Sequence, residues 1–118
     1  MSKKALGDWG EALTADHLRR QGYQILARQY RCRFGEVDLI AQKDRMVCFV
    51  EVKTRTGSSV GLPREYVGAQ KQERLRRAAA CYLSTLAEEP EVRFDVAEVY
   101  TADDGLAAGR IEYIENAF

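Results

Sequence analysis

Much is missing from this chain of 118 residues, and each gap narrows what it can be. No apolar run approaches the ~20 residues that cross a bilayer, and the opening MSKKALGDWG lacks the apolar middle of a secretory signal, so a cytoplasmic protein without a membrane anchor is expected. The 3 cysteines, Cys32, Cys48 and Cys81, are odd in number, widely spaced and without a Cys-x-x-Cys pair, which argues against a disulfide framework or structural zinc and for core-filling thiols. A single histidine, His17, removes most His-based catalysis, and no Ser-centred triad is visible. There is no internal repeat, low-complexity tract or linker. At this length and 46% hydrophobic content, one domain over residues 1–118 is expected.

Net charge is missing too, which at first speaks against nucleic acid as a partner. Its distribution speaks for it. Residues 1–87 hold 16 Lys/Arg against 9 Asp/Glu, a balance of +7, while residues 88–118 hold 2 against 9, a balance of −7. One basic face on a neutral molecule, as phosphate binding requires, and an even mesh of surface ion pairs are both compatible with that asymmetry.

The elements read in order as helix, three strands, helix, two strands. LGDWGEALTADHLRRQG predicts a helix from about Leu6, with Gly22 as its stop. YQILARQYR, GEVDLIA and MVCFVEVKT predict strands, the last two joined by a turn at QKDR. The spacing of Leu75, Ala78, Ala79, Tyr82 and Leu86 predicts a helix from Val67 to about Glu89, with Pro90 just beyond. EVRFDVAEVYT and RIEYIENAF predict the last strands, around a turn at ADDG, and GSSVGLPREY reads as the one long loop. The pattern is that of an α/β sandwich around a mixed five-stranded sheet flanked by helices.

Charges inside the two central strands need an explanation. Side chains two apart share a strand face, so Glu51, Lys53 and Arg55 point with Val47 and Phe49. An even hairpin loop, either KD or QKDR, sets Asp38 opposite Phe49 and makes Asp38 and Glu51 diagonal neighbours, roughly 7–8 Å apart at the backbone. Both would be ionised at neutral pH, and two such charges cost on the order of 2 kcal/mol at an effective dielectric near 20. Lys53 and Arg55 could offset them as ordinary ion pairs, or a shared metal ion could, leaving Lys53 to hold a phosphate or polarise a water.

Glu11 shares a helix stripe with Ala15 and Leu18, so its carboxylate points inward and needs a partner. Asp8 and Glu11 also fall in the first turns of the expected helix, where the dipole favours negative charge. Gly7 and Gly10 would allow close approach of another segment. Lys71 and Gln72 border the apolar stripe at the start of the second helix. Arg74, Arg76 and Arg77 extend a basic surface, and Arg28, Arg31 and Arg33 stand near the second turn, all able to meet phosphates.

Taken together, Glu11, Asp38 in GEVDLIA, Glu51-x-Lys53 in FVEVKTR and a following helix opening KQERL resemble the PD-(D/E)xK nuclease superfamily. More narrowly, RCRFGEVDLIA, VCFVEVKTR, RFDV and the final ENAF resemble the YraN family of small bacterial proteins, related to archaeal Holliday-junction resolvases. The resemblance covers essentially the whole chain, with Val37 standing where the superfamily's name places proline. It implies a restriction-endonuclease-like sandwich and Mg²⁺- or Mn²⁺-dependent cleavage of phosphodiester bonds in DNA, branched or structured forms among the substrates. Asp38 and Glu51 would then be metal ligands, Glu11 a further carboxylate at the metal and Lys53 the residue that stabilises the attacking water or the transition state. Lys71 or Gln72 would complete the site. Arg28, Arg31, Arg33, Arg55, Arg74 and Arg77 would contact nucleic acid, and a homodimer would match the two-fold symmetry of a four-way junction. Two other functions stay open: a non-catalytic module binding nucleic acid or protein, and a hydrolase of another phosphate substrate.

Overall fold

The computed structural model describes residues 2–55, 67–101 and 109–118. The loop expected at GSSVGLPREY and the turn at ADDG lie outside the described residues. Helix α1 spans Lys3–Arg20 and begins ahead of the expected Leu6 because Ser2 caps it, its hydroxyl accepting the Ala5 amide proton at 3.0 Å. Asp8 therefore stands beyond the first turn, paired with Lys4 at 3.1 Å, and the helix-dipole account of the two acids is corrected accordingly. Gly22, at φ +93, turns the chain out of the helix as Tyr23 N–H closes on the Leu18 carbonyl at 3.0 Å.

Strands β1 (Gln24–Cys32), β2 (Gly35–Lys43) and β3 (Met46–Arg55) form an antiparallel meander. Helix α2 (Ala69–Leu83) then crosses over, and β4 (Glu91–Tyr100) returns parallel to β3, the connection a parallel pair requires. Strand β5 (Arg110–Ile114) completes the sheet antiparallel to β4, in the spatial order β1-β2-β3-β4-β5. Two elements are shorter than expected. Helix α2 stops before Glu89 because the Ser84 and Thr85 hydroxyls donate to the Cys81 and Tyr82 carbonyls, each at 2.7 Å, offering those carbonyls an alternative to further helix. Strand β5 stops at Ile114 because Asn116 adopts φ +53 and Ala117 N–H donates to the Phe94 carbonyl at 2.7 Å, so Phe118 folds back and stacks on Phe94.

Each face of the sheet buries its own core. Ile40, Val47, Phe49 and Val96 pack under Leu75, Ala78 and Ala79 of α2, whereas Leu39, Ala41, Cys48, Val50 and Ala97 pack under Ala15 and Leu18 of α1. Close approach is needed at only one of the two helix glycines: a Cβ on Gly10 would overlap the Thr54 side chain of β3, while one on Gly7 would meet open space. All three cysteines are free, Cys48 fully buried. The architecture is the expected one, a mixed five-stranded sheet between helices, consistent with a restriction-endonuclease-like fold. Among the described residues no helix is long and apolar enough to cross a membrane.

Candidate functional site

The site grows from the β2–β3 hairpin. Its turn is Asp44 and Arg45, with Lys43 paired to Met46, and Asp44 accepts φ +54, a conformation that Asp tolerates better than most residues. The loop is even, as expected, but the register differs: Ile40 pairs with Phe49 and Leu39 with Val50. Continued by one residue, this brings Asp38 level with Glu51 instead of diagonal to it.

At that point the two strands part. Val37 belongs to the core under α2 and Leu39 to the core under α1, although residues two apart in a regular strand share a face. Asp38 is where the backbone changes sides. On the neighbouring strand Gln29, between the paired residues Arg28 and Tyr30, adopts φ +51. Asp38 Oδ2 accepts the Val52 amide proton at 2.8 Å, so a side chain supplies the acceptor just beyond the pair of Leu39 with Val50, where backbone pairing has ceased.

Asp38 and Glu51 line one cavity of about 280 Å³ together with Gly35, Glu36, Lys71, Arg74 and Leu75. Glu51 is buried, and its Oε1 lies 3.0 Å from the Lys71 ammonium of α2. Burial first, and then the charge of Glu51, push the Asp38 carboxyl up to about 7, against the pull of the Val52 amide and Lys71. Asp38 is therefore held only partly ionised at neutral pH, where full ionisation of both acids was expected.

Glu11 is buried as expected, but its partners are Arg28 Nε at 3.1 Å and the Gln29 amide at 3.3 Å. Its charge adds to the upward pressure on Asp38 without its side chain lining the cavity. Among the described residues no three His, Cys, Asp or Glu side chains form a group that could hold a metal ion. Lys53 pairs in register with Glu98 of β4 and does not line the cavity. Gln72 does not line it either; its amide holds the Val67 carbonyl at 2.7 Å.

The arginines divide. Arg28 is paired with Glu11, Arg31 with Glu36 at 3.1 Å, and Arg55 with the buried Glu98 at 3.6 Å. Arg74 lines the carboxylate cavity and also an adjoining groove, where Arg33 and Arg77 stand. Arg76 lies over the Phe94 and Phe118 rings, at 5.1 and 5.4 Å, part of the packing of the chain's end.

Two groups escaped the sequence reading. Phe34, at the tip of the β1–β2 turn, lines the groove beside the arginines. On the opposite side of the sheet, Asp95 is completely buried and accepts from Arg93 Nε at 2.8 Å, the Tyr113 hydroxyl at 2.6 Å and the Asn116 amide at 2.9 Å. Arg93 continues the network to the Tyr23 hydroxyl at 2.8 Å. These bonds tie RFDV to ENAF, so two of the quoted motif blocks meet in space for a structural reason.

Comparison with known proteins gives one consistent result. The profile of "Uncharacterised protein family UPF0102" matches residues 10–99. UPF0102 protein TTE1452 of Caldanaerobacter subterraneus subsp. tengcongensis is 40% identical, covering 100% of this chain and 98% of its own. UPF0102 protein STH1475 of Symbiobacterium thermophilum is 49% identical over the same shares, 100% and 98%. A UPF0102 protein of Syntrophomonas wolfei is 44% identical over 98% of each chain. The chain belongs to the UPF0102 family, the one its motif blocks resembled under the name YraN.

Proposed function

We propose that the chain is an endonuclease dependent on Mg²⁺ or Mn²⁺ that hydrolyses phosphodiester bonds in DNA, branched or structured DNA included. The observation that carries this reading is the pair Asp38 and Glu51 in one cavity with Lys71 and Arg74 at its wall. Two hard oxygen donors beside two cations suit a phosphate bridged to a divalent ion. A bound ion would supply charge neutralisation and a water of lowered pKa. In this reading Asp38 and Glu51 would hold the ion, and the Val52 N–H, which donates to Asp38 Oδ2, fixes that carboxylate in place. The Lys71 ammonium and Arg74 guanidinium orient phosphate oxygens, and Lys53, two residues beyond Glu51 and outside the cavity lining, would serve the charge that develops on the reacting phosphate by reaching along β3 towards it. Glu11, through Arg28 and Gln29, steadies the strand beside the site. Cytoplasmic DNA is the proposed partner, with a dimer able to match a two-fold symmetric junction.

One observation favours the second reading, a binding module. The 3.0 Å contact of Lys71 with Glu51 already offsets one carboxylate, so the cluster is stable without an ion. Incubating the purified protein with linear, flapped and four-way DNA in Mg²⁺, Mn²⁺ or EDTA separates the two. Divalent-dependent products that vanish in Asp38→Asn support the enzyme; metal-independent binding with no product on any substrate supports the module.

A further inference from the structure

The adjoining groove, about 610 Å³, is lined by Arg33, Phe34, Ala69, Gln70, Glu73, Arg74 and Arg77. Phe34 is its aromatic wall, with the Arg33 guanidinium over the ring at 4.7 Å from the centroid and that of Arg77 over it at 5.8 Å, so a base stacking on this ring takes the place of an exposed guanidinium. Glu73 is engaged by Arg77 at 3.0 Å, which leaves the groove net positive. Its surface is nonetheless largely apolar, since arginines contribute their stems as well as their charge. The groove and the carboxylate cavity share Arg74, and Phe34 is followed directly by Gly35 of that cavity.

A surface that only tracked the duplex backbone would need cations and no aromatic ring. A ring flanked by guanidiniums, opening onto a site for phosphate, matches a nucleobase still attached to that phosphate. Bases inside a duplex are stacked and cannot present a face to Phe34; an unpaired one can. Resting on the nuclease reading above, we infer that Phe34 is a stacking platform for an unpaired nucleobase adjoining the phosphate that Lys71 and Arg74 orient beside Asp38 and Glu51. The substrate class is therefore DNA with an unpaired nucleotide next to the cleaved bond, such as a flap, gap or junction arm, and not continuous duplex.

The test is binding in EDTA at low salt, where no metal-dependent cleavage interferes, to a blunt duplex and to the same duplex carrying a short gap with 2-aminopurine in it. Wild type should prefer the gapped DNA and quench the 2-aminopurine. Phe34→Ala should lose about 5- to 100-fold in affinity for gapped DNA, the equivalent of one base stacked on an aromatic ring, with less than about a 2-fold change for blunt duplex. Its salt dependence should be unchanged, because no phosphate contact is removed. Phe34→Trp keeps an aromatic face and should restore both affinity and quenching, which a folding defect at the turn would not allow. Equal losses on both DNAs, no loss on either, or no binding to either would overturn the proposal. Because no step needs catalysis, its failure leaves divalent-dependent cleavage to be judged separately.

Discussion

The Asp38 carboxylate accepts the amide proton of Val52 at 2.8 Å, joining β2 to β3 beyond the last backbone pair of Leu39 with Val50. One acid thus has two tasks, closing a sheet and forming the floor of a cavity. Both depend on its protonation state.

Stability should follow that state. Asp38 titrates near 7 in the folded protein and near the ordinary 3.9 or so when unfolded, so between these values the native state binds more protons. Its contribution is fully present below about pH 4 and is lost as pH rises through about 7. Asp38→Asn should flatten this part of the stability profile and, at pH 8, exceed wild type by on the order of 1–3 kcal/mol in urea unfolding. Millimolar Mg²⁺ should close that gap by stabilising wild type alone. A pH-independent difference would contradict the assignment.

Metal affinity should separate the lysines. Lys71 competes with any ion for Glu51, so Lys71→Ala should bind Mg²⁺ more tightly by calorimetry while losing cleavage. Lys53→Ala should keep wild-type metal affinity and lose cleavage by orders of magnitude. Unchanged Mg²⁺ affinity in Asp38→Asn would exclude Asp38 as a ligand.

Salt dependence of DNA binding should single out the arginines at the groove. Arg74→Ala and Arg77→Ala should each reduce the slope of log affinity against log salt by about one. Arg55→Ala should leave the slope nearly unchanged and cost stability instead, since it removes a 3.6 Å ion pair to the buried Glu98.

The two glycines of α1 offer a test of packing. Gly7→Ala meets open space and should stabilise by about 0.5–1 kcal/mol through helix propensity. Gly10→Ala should destabilise despite the same propensity gain, because its methyl group overlaps Thr54. Thermal unfolding of the pair checks both signs.

Much of the site was legible where local pattern and tertiary role coincide. Strand alternation and an even loop predicted that Asp38 and Glu51 would be neighbours, and the apolar stripe of α2 placed Lys71 and Gln72 at its border, of which only Lys71 lines the cavity. The exact pairing was not legible, because either end of QKDR could supply an even loop and only the left-handed Asp44 selects one. Glu11 was recognisable as inward-facing, yet its partner Gln29 owes its direction to a positive φ that no glycine announces. The bonds of Asp95 to Tyr113 and Asn116 join positions 18 and 21 residues away, beyond the reach of any periodicity.

The connectivity that builds the cavity also sets the order in which its charges meet. Asp38 and Glu51 come together once a two-residue turn closes, an event on the scale of about 1–10 μs. Lys71 is carried on the crossover helix, whose docking accompanies a parallel pairing that joins Met46 to Glu91, 45 positions away, and such distant closures are slow. Bringing the two acids face to face thus closes a far shorter loop than the pairing of β3 with β4 that the crossover helix spans. The repulsion between the acids is therefore local to one hairpin, whereas the cation that offsets it comes from a helix set by the longest-range pairing in the sheet.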